Sequence, residues 1–199
     1  MRDPTAMSTG GPLRSPEPDD RLDGAIACQG SGPAPPGYPR LMAEHLDITH
    51  YTDPICPYAF SAEPLLRRLE WRLGGDATWH TRLVGLAATA RELEERGVTV
   101  EMINRGFADL GDRYGMPIDR TPRARLVASL PACRAITAAG FSSPEHLLGM
   151  TRALRVRHFA GELIDEPPAI RAAAADAGLD PDVVERQAAT QLATDTLDD

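Results

Sequence analysis

Residues 52–60 read Thr-Asp-Pro-Ile-Cys-Pro-Tyr-Ala-Phe, so that a cysteine, a proline and an aromatic residue follow an extended run and open a helical one. A cysteine at the first turn of a helix has a physical reason to react, because free backbone N–H groups and the positive end of the helix dipole stabilise a thiolate. Pro57 suits that turn, where its missing N–H costs nothing, and Tyr58 is placed to form one wall of a shallow site around the sulfur. Ala59 stands where a second cysteine would complete a Cys-x-x-Cys pair. The stretch therefore fits a dithiol site reduced to one thiol, a one-thiol site with different chemistry, or a buried cysteine at an ordinary helix start. Asp53 enters the balance, since a carboxylate turned toward the sulfur would oppose a thiolate.

The elements that must position Cys56 are legible around it. LDITHYT, from Leu46, alternates apolar and polar positions and is rich in β-formers, which predicts a strand. Residues 57–73 place Phe60, Leu65, Leu66, Leu69 and Leu73 on one helical face, with Pro64 inside the helix and Gly74-Gly75 ending it. ATWHTRLVGLA, residues 77–87, reads as a second strand. Strand, crossover helix and strand make a βαβ unit with parallel pairing. Beyond residue 88 the pattern is helical, with helices expected near 89–96, 99–114, 121–139, 144–159, 167–177 and 181–193. Ser143 before Pro144 and the Glu-Pro-Pro at 166–168 are helix-start signals. Residues 1–41 are dense in Pro, Gly, Ser and Asp and read as a disordered tail, with the folded domain expected over 42–199.

Bulk properties narrow the function classes. The chain has 199 residues, a length suited to one domain. A net charge of −8 argues against nucleic-acid or anionic-membrane partners, which need a basic field. All 21 basic residues are arginine. The three cysteines, Cys28, Cys56 and Cys133, are widely separated, so neither a disulfide framework nor a zinc site is expected. Cys133, within RLVASLPACRAI, reads as a core residue, and Cys28 receives no role. His80 and His158 are candidate bases that, as lone histidines, read as structural or exposed, and His45 and His50, flanking or on the first strand, have no partner at metal spacing. Gly85 and Gly97 belong to no phosphate-binding pattern. No run of about 18 apolar residues is present and the N-terminus lacks a signal-peptide layout, so the expected location is the cytoplasm.

DPICPYAFSAEP after a strand, with Pro64 in the following helix, resembles the active-site region of the DsbA family of thioredoxin-like proteins. Its cytoplasmic branch, which holds FrnE-type oxidoreductases, 2-hydroxychromene-2-carboxylate isomerases and kappa-class glutathione transferases, is the nearer likeness. A second stretch, RALRVRHFAGELIDEPPAIRAAAADAGLD at 152–180, resembles the end of the helical insertion of these proteins. The resemblance covers roughly residues 46–195 and implies an α/β, thioredoxin-like fold: a βαβ unit with a large helical insertion at about 88–180.

What the resemblance implies for chemistry is a thiol-dependent oxidoreductase with Cys56 as nucleophile and Pro57-Tyr58 as the dipeptide that tunes it. Ala59 in place of the resolving cysteine implies a monothiol site. Its mixed disulfide would be cleared by an external small thiol of the glutathione or mycothiol type, acting as co-substrate with no tightly bound cofactor. The expected partner is a small thiol or a protein disulfide, with the oligomeric state open. Two alternatives stand beside it: a glutathione- or mycothiol-dependent isomerase or transferase, and a non-catalytic adaptor that presents proteins to a protease. The fold also implies a cis-proline loop and two further strands after the insertion. Eighteen residues follow Pro181 and read as helix, so the sequence predicts a chain without those two strands.

Overall fold

Strand β1 (Leu46–Thr52) and strand β2 (Ala77–Leu83) pair in parallel, from Leu46 opposite Ala77 to Thr52 opposite Leu83. Helix α1 (Pro57–Leu73) crosses between them, completing the expected βαβ unit. The structure is a computed structural model that describes residues 45–198. The stretch 1–41 and Cys28 lie outside the described residues. Among those described, the sheet has two strands and every later element is a helix: α2 (Ala90–Glu95), α3 (Val100–Tyr114), α4 (Leu130–Gly140), α5 (Pro144–Phe159), α6 (Pro167–Asp176), α7 (Pro181–Ala188) and α8 (Gln191–Asp198).

Local chemistry accounts for these boundaries. Thr99 and Ser143 accept N–H bonds from Met102 and His146 at 3.2 Å and cap α3 and α5, and Pro144 occupies the first turn after Ser143. Gly115 ends α3 in the left-handed conformation, φ 65°, that favours glycine.

Three expectations require correction. The second strand stops at Leu83 rather than Ala87. Gly85 turns to φ 61°, and the next two N–H groups go to side chains, Leu86 to Asp53 and Ala87 to Ser129. Residues 121–129 are not helical, because their backbone is committed elsewhere: Arg123 N–H donates to Asn104 Oδ1 at 3.0 Å and Ala128 N–H to Asp165 Oδ2 at 3.2 Å. Arg125 clamps this loop by a fork on Asp165, at 2.6 and 2.8 Å, with a further bond to Glu166 at 2.8 Å. The helix expected at 181–193 is two helices, divided at Thr190, whose hydroxyl donates to the Gln187 carbonyl at 2.6 Å and accepts from Ala193 N–H at 3.4 Å.

Two apolar clusters hold the helices together. The larger has Ile136 of α4, Met150 and Leu154 of α5, Ile164, Ala173 of α6 and Val184 of α7, with Ile55 and Leu83 packed against its edge. The smaller joins Phe60 of α1 to Phe107 and Leu110 of α3, Ile118 and Phe159. In it the Phe60 and Phe159 rings stack at 4.5 Å, 6° from parallel. Of the apolar face read on α1, Phe60 is buried and Leu66 and Leu73 are half-buried, whereas Leu65 is 66 % exposed and Leu69 is exposed. The buried side of α1 instead runs through Phe60 and Glu63. Of the two tryptophans, Trp71 on α1 is exposed and Trp79 on β2 is half-buried.

Candidate functional site

Cys56 is the N-cap residue of α1, with extended backbone (φ −75°, ψ 112°) and Pro57 beginning the helix. The turn between β1 and α1 is closed by Cys56 N–H donating to the Asp53 carbonyl at 3.3 Å, and Phe60 N–H donating to the Cys56 carbonyl at 3.1 Å begins the helical ladder. Cys56 and Cys133 are both free thiols, the first partly exposed and the second buried. Cys56 thus sits where the helix presents its orphan N–H groups. Tyr58 is 67 % exposed.

Asp53 is buried, and its carboxylate points into the protein. Oδ1 accepts the Ile55 N–H at 2.9 Å, Oδ2 accepts the Leu86 N–H at 2.8 Å, and the Cys133 thiol approaches Oδ2 at 3.8 Å. One side chain therefore ties the turn before Cys56 to the segment leaving β2 and to α4. Burial raises the Asp53 pKa, opposed by the two backbone bonds. Burial and the Asp53 charge push the Cys133 thiol far above its ordinary range, so Cys133 is held as an inert core thiol.

Behind the turn stands Arg155 of α5, 4 % exposed. It donates through Nη2 to the hydroxyl of Thr52, the last residue of β1. Its Nη1 faces Glu63 Oε2 at 3.5 Å, an ion pair without a hydrogen bond, while Arg152 Nη1 bonds Glu63 Oε1 at 2.7 Å. The Nε atom of Arg155 has no hydrogen-bond partner. Desolvation lowers the Arg155 pKa, and Glu63, Cys56 and Asp53 oppose that shift electrostatically. Thr52, Glu63, Arg152 and Arg155 border a cavity of about 30 Å³ between β1, β2, α1 and α5, which His50, Trp79 and Thr151 also line. Burial, then Arg155, lower the His50 pKa.

Cys56, Pro57 and Tyr58 are contiguous at the helix start, next to Asp53, whose carbonyl accepts the Cys56 N–H. His80 is on the exposed face of the sheet, 3.8 Å from Asp47. His45 pairs with Thr78 at 2.7 Å. His158 is buried against Phe107 and Phe159. Among the described residues no group of three or more His, Cys, Asp or Glu side chains could hold a metal ion, and no helix is long and apolar enough to cross a membrane. Sequence reasoning missed Arg155, for which no local signal exists: its partner Thr52 is 103 residues away.

The fold is shared with several solved structures. A Nitrosomonas europaea protein assigned as a protein disulfide isomerase superposes with TM-score 0.61 at 14% identity, over 76% of this chain and 74% of its own. A Streptomyces coelicolor protein assigned as a DsbA oxidoreductase gives TM-score 0.58 at 16% identity, over 76% and 71% of the two chains. The cytosolic disulfide reductase DsbM of Pseudomonas aeruginosa gives TM-score 0.58 at 16% identity, over 76% and 75%. No curated protein matches the sequence. The family described as DSBA-like thioredoxin domain matches residues 47–199. That match spans the βαβ unit and the helices that follow it, and the chain belongs to the DSBA-like thioredoxin-domain family.

Proposed function

We propose that Cys56 is the nucleophile of a one-thiol disulfide exchange resolved by an external small thiol. The carrying observation is the contrast between the two described cysteines: Cys56 is partly exposed at a helix start, whereas Cys133 is buried against Asp53. With Ala59 in the second position of the motif, the helix start offers Cys56 no Cys-x-x-Cys partner thiol. In the first step the Cys56 thiolate attacks one sulfur of a disulfide R–S–S–R′, forming Cys56–S–S–R and releasing R′–S⁻. In the second, the thiolate of a glutathione- or mycothiol-like molecule attacks the R sulfur of that adduct, forming its own disulfide with R and returning Cys56 as thiolate. The external thiol is a co-substrate, consumed in each cycle, and the reducing cytoplasm is the compartment that would supply it. Pro57 and Tyr58 border the approach to the sulfur, and exposure leaves Tyr58 free to contact a bound thiol.

Intact mass spectrometry tests the reading. Incubation with glutathione disulfide should add one glutathione at Cys56, located by peptide mapping, and excess reduced glutathione should remove it. Cys133→Ser should leave both steps unchanged, and Cys56→Ser should abolish the mapped adduct. A native chain that forms no adduct at Cys56, or an adduct that reduced glutathione leaves in place, overturns it.

A further inference from the structure

A buried polar atom that bonds to neither protein nor water is rare in a folded chain, because nothing repays its desolvation. Three side chains that border one cavity each carry an atom in need of such a partner. Glu63 of α1 and Arg155 of α5 are 5 % and 4 % exposed, and Trp79 of β2 is half-buried. Glu63 Oε2, Arg155 Nε and Trp79 Nε1 are buried and have no hydrogen-bond partner in the protein. All three residues line the cavity of about 30 Å³ between β1, β2, α1 and α5. The other ends of the two charged groups are engaged, Glu63 Oε1 by Arg152 Nη1 at 2.7 Å and Arg155 Nη2 by the Thr52 hydroxyl.

Size and chemistry select what fits this space. The volume exceeds the roughly 10–15 Å³ that one water requires, and cavities that stay dry are apolar. This one is bordered by the carboxylates of Glu63 and Glu70 and the guanidinium groups of Arg67, Arg152 and Arg155. An ion of either sign would face its own charge there, and a neutral molecule would not. The unpartnered atoms are two N–H donors and one acceptor. A water accepts from both donors and donates to the carboxylate, and three bonds is the usual number for a buried water. The span also fits. Arg155 Nη1 stands 3.5 Å from Glu63 Oε2, and Nε is two C–N bonds of about 1.33 Å from Nη1. Nε is therefore no more than about 6 Å from Oε2, a gap that two hydrogen bonds of about 2.9 Å cover.

We propose that this cavity is a binding site for one ordered water that accepts from Arg155 Nε and Trp79 Nε1 and donates to Glu63 Oε2. The water is a polar joint between β2, the helix that carries Cys56, and α5, and it does not depend on the chemistry at Cys56.

The full chain labelled with nitrogen-15 contains both probe and control, since Trp79 borders the cavity and Trp71 is 67 % exposed. Trp71→Phe leaves one indole signal and so assigns it. In a rotating-frame Overhauser experiment with water, dipolar contact and proton exchange give cross peaks of opposite sign. The Trp79 indole N–H should show the dipolar sign, and that of Trp71 exchange or no peak. Thr81 and Thr151 also line the cavity, and their hydroxyl protons could imitate a water. Thr81→Val and Thr151→Val should therefore each keep the peak. A Trp79 water peak that is absent, has the exchange sign, or disappears with either hydroxyl overturns the proposal. In a crystal structure, one water oxygen should lie within about 3.2 Å of Glu63 Oε2, Arg155 Nε and Trp79 Nε1. A dry site, or an ion in place of the water, overturns it equally.

Discussion

Helices α4 to α7 close on a core in which Ile136, Met150 and Leu154 are fully buried, whereas β1 and α1 leave Leu46, Tyr51, Leu65, Leu69 and Trp71 exposed. The contrast reverses at one place. Thr52, Asp53 and Pro54, which precede the half-buried Ile55 and Cys56, are as buried as the helical core. Besides the local bonds of Cys56 and Ile55 N–H to Asp53, contacts from other segments hold this turn: Arg155 on Thr52, Leu86 and Cys133 on Asp53, Phe159 on Phe60. The candidate site is therefore rigid where the unit that carries it is thinly covered, and the rigidity comes from the insertion. A two-stranded parallel sheet supplies little stability alone, so the insertion acts as the scaffold of the site.

Substitutions that separate the two regions should differ widely in effect. Leu154→Ala, in the helical core, should cost about 2–5 kcal/mol, read as a lower urea midpoint. Acid should act next through His158, whose pKa burial and then Arg123 lower to about 3, with Asp165 opposing. The unfolded chain protonates this ring near 6.5. Its contribution is therefore complete above that pH and is lost as the pH falls toward 3, at up to about 1.4 kcal/mol per pH unit. Asp53 works in the opposite sense, because its raised pKa lets the folded chain take up a proton before the unfolded one does. His158→Phe should accordingly flatten the acid limb of the stability curve, and an equally steep limb would locate the titration elsewhere.

Asp53→Ala leaves the Ile55 and Leu86 N–H groups without their acceptor. It should cost roughly 1–3 kcal/mol, with faster amide exchange at Ile55 and Leu86 before any change in α4. At the small end, Leu65→Ala on exposed α1 should shift stability by no more than about 0.5 kcal/mol. A loss comparable to that of Leu154→Ala would mean that α1 is covered in solution and would break the comparison.

The parts of the fold legible in the sequence are those governed by neighbours along the chain. LDITHYT alternates and becomes β1 with those bounds, and the Cys-Pro start and the Gly-Gly stop give α1 its limits at Pro57 and Leu73. Ser143-Pro144 likewise begins α5. Long-range chemistry was not legible. The apolar and arginine-bearing run 121–129 fits a helix, but Arg125 is captured by Asp165, 40 residues on, and the backbone follows it. Asp53 was visible as a question about direction, answered by Leu86, 33 residues away. Arg155 had no signal, since a helical arginine is ordinarily solvated and only the fold buries it behind Thr52.

Both tryptophans of the chain, Trp71 and Trp79, lie within the thinly covered unit, and the helices after β2 contain none. Intrinsic fluorescence is therefore a native reporter of the part that carries Cys56, while far-ultraviolet ellipticity is dominated by the helices. Recording both during a single denaturation measures directly whether nucleophile and scaffold melt as one body, with no label introduced.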